Sequence, residues 1–460
     1  MKQADPLIRD LEAIVGAGNV LHDKVSLCHY EYDASLFKAR PRAIAFATST
    51  DHVAQLVKYA NAHAIPYVAR GSGTNLSGGT ILKDGLIIEM RRMDQILDID
   101  VDNMTALVEP GVFNLTLQNA LAPYGFYYAP DPASQKVSTL GGNVGENSGG
   151  PKCLKYGVTS NHILGLEVVL SSGEVTWIGG SATDAPGADI LGLFIGSEGT
   201  LGVVTKILVR IMRLPENVIT MLTIFNTIEE AGQAVSDIIA EGIIPVSLEI
   251  MDNLTIQAVE DSMNAGFPRD AEAVLIIELD GIAEGLEEQA DRILELCRKN
   301  NVVSSSRATD DQARANLWAG RKGAFGAVAR LRPCYLVCDA TVPRVNLPKA
   351  LSAVKTISQK YDLPIANVFH AGDGNLHPLI LFDERDQDEL SRVHQAGSEI
   401  MRACADLEGT ISGEHGIGEE KKQEMGFIFD EADLKLMRDI KAAVDPNNLC
   451  NPGKMLPQAA

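Results

Sequence analysis

Short apolar runs alternate with polar residues up to about Leu214, and their spacing predicts strands joined by a helix and glycine-rich turns. The run over 41–49 alternates as a strand does. The run over 52–64 has helical spacing, and Thr50 or Asp51 can cap this helix. Further strand-like segments lie over 65–70, 84–90 and 164–177, and the run over 194–210 has a glycine turn before another strand.

After Leu214 strands and helices are predicted without another glycine-rich cradle. The predicted strands cover 218–226, 244–252, 272–281 and 335–343. The predicted helices cover 227–243, 286–301, 311–329, 346–362 and, as a tail, 431–445. This order favours an α+β domain whose helices pack on an antiparallel sheet.

Composition excludes several classes of protein. The 460 residues suit two or three domains. Forty basic against sixty-one acidic residues give a net charge of −21, which argues against a nucleic-acid partner. Seven scattered cysteines favour reduced thiols in a cytoplasm, and no CxxCxxC run for an iron–sulfur centre is present. No signal-peptide core and no apolar run of about 18 residues is visible, so we expect a cytoplasmic protein without a transmembrane segment.

The glycine-rich stretch over 71–80, GSGTNLSGGT, follows one predicted strand and precedes another. A dinucleotide fingerprint must lead from a strand into a helix, and Leu76 stands where its third glycine belongs. A Walker A loop fails as well, because Gly79 stands at the lysine position. Successive backbone N–H groups could still converge here on a phosphate, unless the stretch is only a flexible surface turn.

Two more glycine-rich segments favour a bound cofactor over a simple turn. The segment over 130–150 is predicted as a long ordered loop with little apolar bulk, and a third glycine turn covers 196–202. A loop of that length within a domain is usually functional or disordered. Three such segments predict one extended, phosphate-bearing cofactor that lies along backbone.

The stretch VFHAGDGNLHPLI, over 368–380, predicts a hairpin with Asp373 and Gly374 as its two-residue turn. In that hairpin His370 faces His377, with Cβ atoms about 5 Å apart. Two imidazoles held in this way can bind one cation. The alternative is a turn beside two histidines that are solvated or packed in a core.

Six segments in this order resemble the vanillyl-alcohol-oxidase type of FAD flavoprotein: RGSGTNLSGG, GGNVGENSGG, GSEGTLG, HAGDGNLH, SGEHGIG and NPGK. Within it the chain is similar to the branch of D-lactate dehydrogenases, the glycolate oxidase flavin subunit and D-2-hydroxyglutarate dehydrogenase. The resemblance implies a two-lobed FAD-binding domain of the PCMH type, an α+β cap on an antiparallel sheet, and a C-terminal helical return. The implied ranges are an N-terminal helical segment over 1–40, the FAD domain over 41–214, the cap with a metal site over 215–420, and the return over 421–460.

The resemblance also implies the residues that contact FAD. The first loop would bind the pyrophosphate, the central segment would follow the flavin ring and phosphates, and the C-terminal return would approach the flavin. The positions are Arg70, Gly71, Ser72, Gly73, Thr74, Asn75, Ser77, Pro130, Asp131, Thr139, Gly141, Gly142, Asn143, Ser148, Gly149, Glu198, Gly199, Val203 and Asn451. The first loop lacks the histidine to which covalent members attach FAD, so we expect non-covalent FAD.

In this branch two hairpin histidines and a glutamate bind a divalent metal. The matching residues are His370, His377 and Glu414, for zinc, iron or manganese, and His415 matches the catalytic base. Such a metal keeps open positions for the hydroxyl and carboxylate of a 2-hydroxy acid.

Arg321, His370, His377 and Asn375 are the predicted substrate-binding residues. The Arg321 guanidinium suits a carboxylate, although an exposed helix arginine is an equal alternative. Relatives that accept a second carboxylate have a lysine where this chain has Val337, which favours D-lactate or glycolate.

These features predict an FAD- and metal-dependent D-2-hydroxy-acid dehydrogenase. No onward electron carrier is visible in the sequence, so we expect an electron-transferring flavoprotein or an iron–sulfur subunit as partner. An oxygen-using oxidase is the first alternative. A flavin-free metallohydrolase and a non-catalytic electron-relay subunit are further alternatives, against which the glycine loops and the complete metal and base set argue.

Overall fold

The computed structural model describes residues 5–182 and 186–458, which form two compact units. The first unit takes the described parts of Met1–Gly149, Gly157–Leu214 and Glu414–Ala460. The second unit takes Gly150–Tyr156 and Pro215–Gly413. Among the described residues, no helix is both long enough and apolar enough to cross a bilayer.

The helices and strands are numbered in chain order. The helices are α1 Pro6–Val15, α2 Lys24–Cys28, α3 Thr50–Ala62, α4 Asn114–Leu121, α5 Leu140–Glu146, α6 Cys153–Tyr156, α7 Ile190–Phe194, α8 Ile228–Ala240, α9 Asn253–Met263, α10 Leu286–Lys299, α11 Asp311–Val328, α12 Leu347–Tyr361, α13 Gln387–Asp406 and α14 Glu431–Val444. The strands are β1 Val20–Leu21, β2 Ala43–Phe46, β3 Tyr67–Arg70, β4 Leu86–Glu89, β5 Ile96–Asp100, β6 Thr105–Val108, β7 Phe126–Tyr127, β8 Ile163–Leu170, β9 Val175–Gly179, β10 Gly202–Arg210, β11 Met212–Arg213, β12 Asn217–Phe225, β13 Ser247–Asp252, β14 Ala273–Gly281, β15 Ser304–Arg307, β16 Cys334–Val337, β17 Ala340–Thr341, β18 Ile365–His370, β19 Asn375–Leu376 and β20 Pro378–Phe382.

The first unit contains a four-stranded sheet in the order β1-β2-β4-β3 and a five-stranded sheet in the order β5-β6-β10-β8-β9. In the smaller sheet β4 pairs parallel with both β2 and β3. The glycine-rich loop over 71–80 joins strand to strand, as the sequence predicts, and the two strands are parallel neighbours. The five-stranded sheet is antiparallel throughout.

The second unit is built on one antiparallel sheet, whose main path is β15-β12-β14-β13-β18-β19-β17. β20 pairs with β18 and with β16. Apolar side chains of β13, β14, β18 and β20 pack against α9 and α11 in one buried cluster. Helices on an antiparallel sheet confirm the predicted α+β class.

Three local predictions were wrong. The N-cap of α3 is Ser49, not Thr50 or Asp51, which lie within the helix. Ser49 has an extended backbone, and its hydroxyl accepts a hydrogen bond from the His52 N–H at 3.2 Å. The segment over 130–150 contains α5, capped by Thr139, so it is not a continuous loop. The predicted strand over 335–343 is divided into β16, which pairs with β20, and β17, which pairs with β19.

Candidate functional site

The three glycine-rich segments of the first unit meet around one cleft of about 660 Å³. The cleft lies between β3, the start of α5 and the turn before β10. Seven predicted cofactor residues line it: Arg70, Gly71, Thr139, Gly141, Gly142, Glu198 and Gly199. The sequence therefore identified the segments that form the cleft, although they lie far apart along the chain.

Several other predicted cofactor residues shape the first loop from within. The Asn75 side-chain oxygen accepts hydrogen bonds from the N–H groups of Ser77 and Gly79 at 2.9 and 2.7 Å. Arg70 donates to the Tyr32 carbonyl at 2.7 Å. A Cβ atom at Gly73 would lie 2.2 Å from Arg70 Nη2. Arg70 and Asn75 thus hold the loop in position.

Asn451 joins two of the glycine-rich segments. Its side chain is fully buried, and Nδ2 donates to the carbonyls of Gly79 and Glu198, both at 2.8 Å. The C-terminal segment therefore contributes to this unit by fixing its glycine turns.

The remaining predicted cofactor residues lie outside the lining of the cleft: Ser72, Gly73, Thr74, Ser77, Pro130, Asp131, Asn143, Ser148, Gly149 and Val203.

Two features in and beside the cleft fit a phosphate-bearing cofactor. A Cβ atom at Gly71 would lie 2.1 Å from Thr139 Oγ1, and one at Gly141 would lie 2.6 Å from Pro110 Cβ. Glycine, which has no Cβ atom, is therefore needed at both positions for this close packing. Close to the cleft, Asn143 Nδ2 is buried without a hydrogen-bond acceptor among the described residues. A buried donor without a partner is costly, and an anionic group would satisfy it.

Two glutamates form a carboxyl pair at the cleft, and no local sequence pattern indicated Glu146. Burial raises the pKa of Glu146 well above its usual value, and the charge of Glu198 adds to this. Burial also raises the pKa of Glu198, to about 7, although N–H groups of Ile417 and Gly418 donate to it at 2.6 and 2.7 Å. Burial therefore shifts both carboxyl groups toward the protonated form.

The turn that carries His415 is anchored on the same carboxyl pair. Gly416 has a left-handed backbone (φ 85°), and a Cβ atom there would lie 2.3 Å from Glu146 Oε2. In this turn His415 Nε2 lies 3.7 Å from the carboxylate of Glu414. The structure thus places the predicted base and the predicted metal carboxylate together in the first unit, in the turn that packs on the cofactor cleft.

The hairpin of the second unit differs from its predicted register. His370 pairs with Asn375, so the pairing is displaced by two residues from the expected His370–His377 pair. A two-residue turn of the expected type needs positive φ at both Asp373 and Gly374, but only Gly374 has it (77°). The Gly374 N–H instead closes a longer turn on the Ala371 carbonyl at 3.2 Å.

The displacement leaves both histidines on one face, because side chains alternate with a period of two. The two imidazole rings meet edge to face, with centroids 5.2 Å apart and planes at 84°. Both side chains are buried in the second unit. The predicted register was wrong, but His370 and His377 are neighbours as predicted. Diagonal pairs in a sheet remain within reach of aromatic side chains.

Glu249, which no sequence motif indicated, lies between His370 and Arg321. Its carboxylate is 2.8 and 2.9 Å from His370 Nδ1 and 2.6 Å from Arg321 Nη2. Burial alone would raise the pKa of Glu249, but Arg321 and His370 outweigh it and lower the pKa. Arg321 is 3% exposed, which excludes the exposed-arginine alternative, and its Nε has no partner among the described residues.

Asp339 occupies the corresponding position beside the second histidine. Its carboxylate lies 3.4 Å from His377 Nε2 and accepts hydrogen bonds from the Ser412 hydroxyl and the Gly413 N–H at 2.7 and 3.1 Å. Asn375, on β19, is 5% exposed, and its side-chain oxygen has no donor within the described parts of the chain. The second unit thus contains two buried histidines, each with a carboxylate, and polar groups able to bind a small acid.

Val337 belongs to the apolar cluster of the second unit. It is 8% exposed and pairs with Leu379, two residues beyond His377. Phe325 packs against the same cluster, and its ring lies edge-on to His377 at 5.9 Å. An apolar wall therefore extends from His377 to Val337.

Two family models together match most of the chain. One, described as an FAD binding domain, matches residues 41–179. The other, described as the C-terminal domain of FAD linked oxidases, matches residues 214–455. The ranges contain the first two glycine-rich segments and the histidine hairpin, respectively.

Curated relatives match over nearly the whole length. The glycolate oxidase subunit GlcD of Escherichia coli strain K12 is 44% identical over 440 residues, which cover 95% of this chain and 88% of the relative. The same subunit of Bacillus subtilis strain 168 is 44% identical over 434 residues, 94% of this chain and 92% of the relative. A probable mitochondrial D-lactate dehydrogenase of Danio rerio is 32% identical over 434 residues, 92% and 86% of the two chains.

Solved structures share the fold. A crystal structure of p-cresol methylhydroxylase with bound substrate has a TM-score of 0.82 at 19% identity and covers 97% of this chain and 96% of its own. The isoeugenol complex of 4-ethylphenol oxidase from Gulosibacter chungangensis has a TM-score of 0.77 at 21% identity, over 98% and 96%. These neighbours confirm the predicted PCMH-type fold. With the family models and relatives, they establish that the chain belongs to the FAD-linked oxidases and is an FAD-linked oxidoreductase.

Proposed function

We propose that this chain oxidises a small D-2-hydroxy acid, with D-lactate or glycolate preferred, to the 2-oxo acid. The observation that carries the proposal is the pair of buried imidazoles of His370 and His377, which lie 5.2 Å apart beside Arg321. The names of the relatives, glycolate oxidase subunit and D-lactate dehydrogenase, support this substrate class. We propose that FAD binds to the domain over 41–214 and that the substrate binds to the cap over 215–420.

His370, His377 and Glu414 would hold a divalent metal, which can be zinc, iron or manganese. Two imidazoles and a carboxylate suit these ions, and such a bound metal keeps open positions and lowers the pKa of a coordinated hydroxyl. Glu414 directly follows Gly413, whose N–H is bonded to the carboxylate of Asp339. The same carboxylate contacts His377.

The remaining residues bind the substrate and move its proton. The Arg321 guanidinium, with its unused Nε, binds the substrate carboxylate, and Asn375 orients the C2 hydroxyl. His415 takes the hydroxyl proton as general base. Bound FAD supplies an acceptor at flavin N5 for the C2 hydride.

A dye-linked assay tests the proposed function. The purified chain, loaded with FAD and metal, is given an artificial electron acceptor with D-lactate, L-lactate, glycolate, malate or D-2-hydroxyglutarate. We expect 2-oxo acid formation to be fastest with D-lactate or glycolate. Equal rates for D- and L-lactate, or no oxidation of any of these acids, would contradict the proposal.

We expect FAD to be released by acid, because the loop over 70–80 contains no histidine or cysteine that could bond the flavin. Acid precipitation should leave a colourless pellet and a yellow supernatant. A pellet that stays yellow after washing in denaturant would show a covalent bond and refute this prediction.

The side chain at 337 should influence substrate size. Wild-type enzyme should use D-lactate or glycolate more efficiently than D-2-hydroxyglutarate, because Val337 is part of an apolar wall and offers no positive charge to a second carboxylate. Val337→Lys should raise the diacid-to-monoacid ratio of kcat/KM by roughly tenfold, the effect of about 1.4 kcal/mol.

Val337→Met is the matched control for this change, since methionine adds similar length to the buried site without charge. Both variants should lose some stability, because Val337 is part of the packed cluster. Only the lysine variant should change the substrate ratio. A wild type that prefers the diacid would exclude this role of Val337.

We propose that the electrons leave through a partner redox protein, an electron-transferring flavoprotein or an iron–sulfur subunit. Substrate-reduced enzyme should therefore be reoxidised slowly by air and rapidly by an artificial dye. Stopped-flow mixing with aerated buffer measures the difference. If oxygen restores the yellow flavin as fast as substrate bleaches it, the chain is an oxidase that needs no partner.

A further inference from the structure

Glu249 is buried at the centre of the second unit and contacts both a histidine and an arginine. It lies on β13 directly opposite His370 on β18, in the antiparallel register of the two strands. Its side chain is fully shielded from solvent, and the Ser247 hydroxyl donates to it at 2.9 Å. Its position is therefore set by the sheet, and the contact with His370 is part of the packed core.

The contacts of His370 Nδ1 with the Glu249 carboxylate favour a hydrogen on this nitrogen. An ionised carboxylate only accepts, so Nδ1 of His370 must donate to Glu249, at 2.8 and 2.9 Å. Arg321 Nη2 is 3.4 Å from the same nitrogen but only 2.6 Å from the Glu249 carboxylate. The shorter contact indicates that Arg321 donates to Glu249, and in the neutral imidazole Nε2 of His370 then keeps its lone pair.

We propose that Glu249 is a positioning residue that holds His370 as the Nδ1–H tautomer and fixes the orientation of its ring. Arg321 balances the charge of Glu249 and holds it against the imidazole. The consequence, which rests on the proposed function, is that Nε2 of His370 is presented as a ligand to the divalent metal. Partners of this kind orient metal-binding histidines, and their loss usually weakens metal binding about 10–100-fold.

The tautomer is measured on metal-free protein, so that this test does not depend on metal binding. Histidine is labelled with ¹⁵N, spectra are recorded at a pH at which the imidazoles are neutral, and the His370 signals are assigned by their loss in His370→Gln. We expect Nδ1–H in the wild type. In Glu249→Gln the amide can donate to Nδ1, so the Nε2–H form should become populated.

Glu249→Gln leaves Arg321 buried without its counter-ion, which can prevent folding. The double variant Glu249→Met/Arg321→Met removes both charges and keeps similar volume, and it too should lose the Nδ1–H preference. The matched control is Glu278→Gln. Glu278 is another buried glutamate of the same sheet, bonded to Arg314 and Trp318 of α11. This control should retain the wild-type tautomer.

Zinc affinity, measured by competition with a chelator, gives the second readout. We expect a loss of about 10–100-fold in the folded Glu249 variants and little change in Glu278→Gln. If the wild type binds no metal but shows the Glu249-dependent tautomer, the metal proposal fails and the positioning role stands. An unchanged His370 tautomer in the Glu249 variants would overturn the positioning role.

Discussion

His377→Ala should abolish turnover while FAD remains bound. His377 is buried beside His370, and its removal takes one of two imidazoles from the proposed metal site. Without the metal the substrate hydroxyl keeps its high pKa and loses its anchor. Dye-linked turnover, metal content by elemental analysis and the flavin absorbance of the same preparation are the three measurements. Activity should fall to the background of the assay, with metal content near zero.

His394→Ala is the matched control for this variant. His394 lies on α13 and is exposed, so its removal should alter neither metal content nor turnover. Treating the wild type with a strong chelator should have the same effect as His377→Ala, and adding the metal back should restore only the wild type. Full activity in protein shown to be metal-free would refute the metal site.

Replacing His415 should slow flavin reduction by roughly 10²-fold or more, the usual effect of removing a positioned base. The histidine lies in the turn anchored on Glu198, next to the cofactor cleft. Anaerobic stopped-flow mixing of His415→Asn with D-lactate measures the rate constant of reduction. FAD and metal should stay bound, because the cleft residues and Glu414 are untouched.

A conservative change in the same turn gives the control for His415→Asn. Ile417→Val keeps the backbone N–H that donates to Glu198 and should reduce the flavin at nearly the wild-type rate. The two variants together separate loss of the base from disturbance of the turn. An unchanged reduction rate in His415→Asn would remove His415 from the mechanism.

Local pattern predicted the glycine-rich segments and the two strands that flank the first of them, but not α5, which also lines the cofactor cleft. The glycine loop was expected to join strand to strand because the segments over 65–70 and 84–90 are strand-like, and the structure places that loop between β3 and β4. The six ordered segments indicated the fold type, which the structural neighbours confirm. The loop could be predicted from local residue types and spacing, whereas the fold type was implied by the resemblance of these segments to a known family.

The partners of the two histidines could not be predicted in the same way. Glu249 lies 121 residues from His370, and only the pairing of β13 with β18 brings them together. Glu146 has no local pattern that distinguishes it from other acidic residues; burial beside Glu198 gives it its raised pKa. Such contacts follow from strand order, which short-range periodicity does not determine.

The hairpin shows how a physical rule can be correct while its application is wrong. Asp-Gly indicates a turn, but the observed turn is longer than the predicted two-residue turn. In the observed turn Gly374 packs closely against Val342, and a Cβ atom at Gly374 would lie 2.1 Å from the Val342 carbonyl oxygen. The register changed by two, and the histidines remained neighbours. A change of one would have placed them on opposite faces.

Anaerobic titration of the FAD- and metal-loaded enzyme with single substrates, followed by flavin absorbance, tests the proposed oxidation most directly. About one equivalent of D-lactate or glycolate should bleach the flavin and yield the matching 2-oxo acid, whereas L-lactate should leave it yellow. A flavin that no 2-hydroxy acid bleaches, in protein with full FAD and metal content, would contradict the proposed function.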